Sequence, residues 1–327
     1  MNQRPDWAKN QHYVPKFLLK NFADGEEQIH VFDKQERKEF RTNVRNVAAE
    51  NGLYDIKMPD GSITTGEKNL SNLETAARES LNKLVTQQTL ASLTPADRVT
   101  LALFAAVQML RVKQQILILT QMTEIFGRRF GTVEGLPQTE KERTEDARKV
   151  MIQSLADAPG FLPDFLNKTW LLVKAARQSK FYISDNPIAM YNKIRNPHRA
   201  TRGLRVRGIE IHMPVSSELS LAFYCRTHEE GWRKTKAEAE ICQALGHSLP
   251  AEFANQARLL DNIVHSLSSG DVIELSETAT NFQNERQIAN SSRFVFSKDG
   301  DFRLAKEALE QVPEWRKGPQ LAGSKPK

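Results

Sequence analysis

Apolar residues recur at helical intervals from Gly66 to Gln88, where Leu70, Leu73, Ala77, Leu81 and Leu84 form one stripe. This pattern predicts an amphipathic helix with Glu74 beside its apolar face. A second helix has a marked start: Thr94 as N-cap, Pro95 at the first position and Asp97 at the third. It is expected to run to about Ile125 and to stop at Gly127. Residues 131–142 read as an exposed connection, followed by helices from about Lys141 and from Pro163. Helical periodicity returns from Thr235 to about Ser269 and from Val272 to Asn290. The β signals lie elsewhere. Ile29 to Asp33 and Glu39 to Val44 flank a charged turn, as in a hairpin. Phe181-Tyr182-Ile183 leads into a turn, and further strands are expected at Gly208 to Val215, Leu219 to Tyr224 and Arg293 to Ser297. The expected fold class is α+β, with a mixed sheet of N-terminal, middle and C-terminal strands packed against a mainly helical bundle. Residues 1–316 read as one domain, with a weak subdivision near 180, and 317–327 as a disordered tail.

Composition narrows the class without naming a reaction. The 327 residues are 39% hydrophobic, which suits a packed core. The start, Met1 to Trp7, lacks the apolar run of a signal peptide, and no uncharged stretch approaches the roughly 18 residues of a membrane span. The longest apolar stretch, Val99 to Val112, is interrupted by Gln108 and Arg111. No membrane association is expected. Only Cys225 and Cys242 are present, without metal-type spacing, and they read as reduced thiols of a cytoplasmic protein. A net charge of +6 favours anionic partners.

Four groups of residues could carry chemistry. Gln11 to Phe22 places His12 on an extended entry ahead of a short helix, with Pro15 at its first position and Leu18 and Phe22 pressed onto a core. A histidine there is pushed toward its neutral form in a place that attracts anions, or it merely anchors the chain start. Glu74, Gln108 and Arg111 lie at helix edges. Arg111 either pairs with Glu74 structurally or clamps a phosphate or carboxylate that Gln108 helps to orient. Ser184-Asp185-Asn186-Pro187 is either a structural turn or a strand end that holds Asp185 and Asn186 in a cleft. Asp185, Glu74 and Glu50, with His12, offer donors suited to magnesium or manganese, should they converge. The segment 193–208 carries Lys193, Arg195, His198, Arg199, Arg202, Arg205 and Arg207 with no acid, and is either a solvated loop or a phosphate-binding surface. Walker, Rossmann, His-Glu-x-x-His and Gly-x-Ser-x-Gly signatures are absent. His212, His228, His247 and His265 are scattered and read as core-edge or surface residues, and Asn281 to Asn290 reads most simply as an exposed helix.

His12 to Phe22 resembles the opening motif of a bacterial family, domain-of-unknown-function family 4238. Further segments agree in order: Ile29 to Phe32, Asn46-Val47, Glu50 with Tyr54, Leu73-Glu74, Gln108 with Arg111, Ser184 to Pro187, and Ala289 with Arg293 to Val295. The resemblance covers most of the chain and implies little about mechanism; for such proteins it suggests an association with anti-phage defence that no residue here carries. The residues themselves lead to two expectations. One is a nuclease acting on RNA or DNA, with Asp185 and Glu74 holding a metal or water, His12 as acid or base, and Arg111 stabilising phosphate charge, to which the resemblance adds the expectation of a toxic effector in bacterial defence. A metal-free version would rely on His12. The other is a non-catalytic module that binds nucleic acid or a partner protein through the basic loop; a homo-oligomer is equally open.

Overall fold

The computed structural model describes residues 10–57, 60, 63–131, 135–194, 203–246 and 251–321. The N-terminal part comprises β1 (Asn10–His12), α1 (Lys16–Lys20), the hairpin β2 (Gln28–Asp33) and β3 (Lys38–Asn43), and the short strands β4 (Ala49–Asn51), β5 (Asp55–Lys57) and β6 (Ile63–Thr65). A helical middle follows: α2 (Glu67–Gln87), α3 (Pro95–Leu110), α4 (Lys113–Phe130), α5 (Glu140–Ser154) and α6 (Leu162–Leu166). Next come β7 (Thr169–Lys174), β8 (Ile183–Ser184), β9 (Ala189–Asn192), β10 (Ile209–Pro214), β11 (Leu219–Tyr224), α7 (Arg226–Ala244) and α8 (Ala251–Ser269). The chain closes with β12 (Ile273–Glu274), α9 (Glu277–Asn290), β13 (Phe294–Ser297) and α10 (Arg303–Gln311).

The fold is α+β. One sheet, ordered β3-β2-β13-β8, joins strands from the beginning, middle and end of the sequence. Its register sets Phe294 opposite Asp33 and Phe296 opposite both Val31 and Ile183. A second sheet, ordered β12-β7-β11-β10-β9, is antiparallel except where β12 runs parallel to β7. Its second strand, β7, lies between β12 and β11 and falls inside the stretch expected to be helical from Pro163. Trp170, Leu171, Leu172 and Val173 are all buried, and a strand covered on both faces reads as a continuous apolar run that periodicity cannot tell from helix.

Three other boundaries depart from the periodic reading. The helix expected from Pro95 to about Ile125 is two helices bent by 46° at Arg111 and Val112. Val112 is extended and Arg111 closes α3 with its N–H on Val107, so the chain turns where Arg111 must reach a polar partner. Among the described residues no single helix is long and apolar enough to cross a membrane. The helical stretch expected from Val272 opens instead as a strand, and α9 begins after Ser276, whose hydroxyl accepts the Ala279 N–H. The tail is ordered to a later point than expected: Gln114 on α4 donates to the Pro319 carbonyl at 2.8 Å and Gln121 to Gln320 at 2.6 Å. Residues 322–327 lie outside the described residues.

The polar residues of α9 are not an exposed face. Asn284 accepts the Tyr182 N–H and donates to the Lys180 carbonyl, Gln287 donates to the Pro187 carbonyl, and Asn290 donates to the carbonyls of Asn186 and Ile188. These amides satisfy the irregular backbone beside β8, which has few sheet partners of its own. The carboxyl end of α9 is held by Lys34. Its ammonium is fully buried and donates to the carbonyls of Ile288, Ser291 and Trp315 at 2.6–2.8 Å. Burial lowers its pKa to about 8 although Asp185 opposes the shift. Lys34→Met leaves these carbonyls without their donor and is expected to cost on the order of 3 kcal/mol in urea unfolding. An unchanged midpoint would show that the contacts add nothing.

Candidate functional site: a basic cleft backed by His12 and Arg111

Strand β1 pairs with β4, setting Gln11 opposite Glu50 and His12 opposite Ala49. Pro15 stands one place earlier than expected: it is the N-cap, and α1 begins at Lys16. Buried side chains fasten the extended entry from several directions. Gln11 accepts the Tyr54 N–H at 2.6 Å and donates to Asp55, and the Tyr54 hydroxyl donates to the His12 carbonyl. Gln108 on α3 donates to the Tyr13 carbonyl at 2.8 Å, and its amide oxygen accepts from Arg111 Nε at 3.0 Å. Arg111 Nη1 then reaches Glu74 on α2 at 2.6 Å. His12, Gln108, Arg111 and Glu74 thus belong to one polar node. The apolar stripe of α2 faces inward through Leu70, Ala77, Leu81 and Leu84, and Glu74, four residues after Leu70 and three before Ala77, lies along the edge of that stripe, where it can meet buried Arg111.

Two atoms of this node are buried without a hydrogen-bond partner: His12 Nε2 and Arg111 Nη2. His12 is 8% exposed and Arg111 1%. The His12 pKa falls to about 4, first through burial, then through Lys16, with Arg111 adding to the shift and a bond to the Val44 backbone opposing it. Burial thus keeps the His12 ring neutral near pH 7, with one ring nitrogen able to accept a proton.

In front of the node lies a cleft of about 700 Å³. One wall is the polar face of α2, formed by Ser71, Glu74, Thr75, Arg78 and Asn82; the other comes from α1 and the segment after the hairpin, with Lys16, Phe17, Lys20, Asn43 and Arg45. Glu27 also lines it and pairs with Lys20, while Glu74 pairs with Arg111. Lys16, Arg45 and Arg78 form no ion pair among the described residues. The cleft therefore presents uncompensated positive charge. The sequence pattern contained these positions, since 71, 75, 78 and 82 share one flank of α2 with 74 at the edge of the apolar stripe, but a polar helix flank ordinarily means solvent. Its opposition to Lys16 and Arg45 is a tertiary fact.

Asp185 and Asn186 do other work. The Asp185 carboxylate is buried and accepts the backbone N–H groups of Ser292, Arg293 and Phe294 at 2.7–2.9 Å. Burial raises its pKa, and those donors together with Lys34 limit the rise. Asn186 donates to the Asn290 carbonyl, and the Ser184 hydroxyl closes the turn on the Asn186 carbonyl. The turn is structural, locking β8 to β13. Glu50 is paired with Lys113. Asp185, Glu74 and Glu50 are thus each committed to different partners, and no group of three or more His, Cys, Asp or Glu suited to a metal ion occurs among the described residues. The expected magnesium or manganese donor set is not assembled.

Of the basic segment, Arg195, His198, Arg199 and Arg202 lie outside the described residues. Arg205, in a segment without acids of its own, bonds Asp164 of α6 at 2.8 Å. Lys193 lies near Glu210, and Arg207 contributes its carbonyl to Asn192. Cys225 and Cys242 are free thiols. His212 is buried on β10, where its Nε2 meets the Tyr224 hydroxyl and the Gln283 amide at 3.2 Å. Burial lowers its pKa to about 3.

Two predictions follow from these environments. Asp185→Ala orphans buried N–H groups and is expected to lower unfolding free energy by on the order of 3 kcal/mol; a loss below about 1 kcal/mol would contradict the structural role. His12 titrates lower in the folded chain than in the unfolded one. Its contribution is therefore complete above pH 6.5 and lost as pH falls through about 4. The difference in stability between the wild type and His12→Gln should change by about 3 kcal/mol between pH 7 and pH 4. A difference that does not vary with pH would contradict a buried neutral His12.

Comparison with curated proteins and with solved structures gives no match. Comparison with family profiles matches residues 10–301 to the family described as "Protein of unknown function (DUF4238)". That span includes β1, the polar node, both sheets and the Asp185 turn, and the chain belongs to the DUF4238 family.

Proposed function

We propose that the cleft binds nucleic acid and hydrolyses its phosphodiester bonds without a resident metal. The observation that supports this most is that His12 Nε2 and Arg111 Nη2 are each buried without a partner in the network whose Glu74 lines a cleft with uncompensated cations. Lys16, Arg45 and Arg78 would hold phosphate oxygens and contribute a salt-dependent affinity. A neutral His12 can accept a proton from the attacking hydroxyl or water, and Arg111 can donate to the oxygen on which charge grows. Glu74, which lines the cleft, keeps the buried guanidinium oriented behind it. Such an activity is one that a toxic effector in bacterial defence would use.

The near-complete burial of His12 and Arg111 favours a second reading, a module that binds nucleic acid without cutting it. In that case the node only shapes the wall. Labelled RNA and DNA, incubated with purified protein in chelator, separate the two. The hydrolase reading expects cleavage that His12→Gln lowers by about 100-fold or more, with a rate flat from pH 8 to pH 5 that falls as His12 gains its proton near pH 4. Binding with no cleavage under any condition would leave the binding module in its place.

A further inference from the structure

The dimensions and lining of the cleft bear on which form of nucleic acid it takes. A volume of about 700 Å³ suits a nucleotide or a short stretch of one strand and is far too small to enclose a duplex. The α2 wall from Ser71 to Asn82 spans twelve residues, or about 16 Å along the helix axis. Its cations are not gathered at one point: Arg78 is on this wall, while Lys16 and Arg45 are on the other. A single small anion would leave some of them unused.

Phe17 adds an observation independent of charge. It is half-buried at the start of α1, meets the Phe104 ring at 5.7 Å between centroids, and lines the cleft beside Lys16. An aromatic ring set among phosphate-binding cations is the arrangement on which unpaired bases stack, because every base presents a π-face. Bases already paired inside a duplex offer no such face. Asn82, at the far end of the α2 wall, adds an amide able to donate to or accept from a base edge.

We infer that the cleft is a subsite for one unpaired strand, with a base stacked on Phe17 and the flanking phosphates held by Lys16, Arg45 and Arg78. This rests on the reading of the cleft as a nucleic-acid site, but it requires no cleavage. The strand is RNA or single-stranded DNA, since nothing in the lining selects for the sugar.

The test uses the full chain and fluorescence anisotropy with labelled phosphorothioate 12-mers, which resist hydrolysis. The expected result is single-strand binding at least tenfold tighter than binding of the matched duplex or of a mononucleotide. Phe17→Leu, which keeps an apolar side chain against Phe104, should weaken the strand by about tenfold while leaving the salt slope unchanged. Arg45→Gln with Arg78→Gln should instead reduce the slope of log affinity against log salt by about 1.4. Equal or tighter binding of the duplex or the mononucleotide would overturn the inference, as would a Phe17→Leu protein that binds like the wild type with an unchanged melting temperature. Strand binding with these signatures but no cleavage would reject the hydrolase and keep the subsite; cleavage without them would do the reverse.

Discussion

A guanidinium sealed inside a protein must be answered by acceptors held in place, and Arg111 imposes that demand on three parts of this chain. It is 1% exposed, at the point where one long apolar stretch breaks into α3 and α4. Gln108 from its own helix and Glu74 from α2 are its side-chain partners, and the Phe104 ring lies 5.8 Å from its guanidinium carbon. Gln108 passes the connection to the Tyr13 carbonyl, so the entry strand is positioned by the same network. Removing either partner from such a group costs far more than a surface ion pair returns, which makes the arrangement rigid.

That rigidity gives the cleft its shape. Glu74 is held from behind by Arg111, so α2 presents its polar face at a fixed distance from α1 and the segment after the hairpin. The acids that line the cleft are both spent on cations, and the remaining positive charge points at whatever enters. His12 remains neutral because it is buried next to Lys16 and Arg111. A second network, made of Asp185, Lys34 and the amides of α9, serves the sheet junction instead. The two networks resemble each other in sequence, each a cluster of polar residues among apolar ones, but the first lies beside the basic cleft, whereas Asn284 of the second lines a smaller cleft of about 270 Å³ that Asp299 and Asp301 make acidic.

Much of the architecture could be read before the structure was known, because the relevant signals are local. The hairpin at 28–43, the α2 stripe and the capping box at Thr94 each depend on residues within a few positions of one another. The strand β7 could not be distinguished in this way, since burial on both faces removes the alternation. The break at Arg111 was hidden because apolar periodicity continues across it, and only the need to satisfy a buried guanidinium marks the position. The site was legible in part. Glu74, Gln108 and Arg111 are joined by hydrogen bonds that reach the Tyr13 carbonyl next to His12, with only Glu74 lining the cleft, whereas Asp185 differs from a site carboxylate only in having backbone N–H groups from residues more than a hundred positions away. Lys16, Arg45 and Arg78 carry no local signal at all; each is an ordinary surface cation until the fold sets the walls face to face.

The most direct test of this account is a double-mutant cycle in chemical unfolding between Arg111→Met and Glu74→Gln. If the pair is the bond that joins α2 to the N-terminal node, the coupling energy should be about 2 kcal/mol or more, as for a partly buried charge pair. A coupling near zero would mean that Arg111 is satisfied without Glu74, and that the cleft does not depend on it.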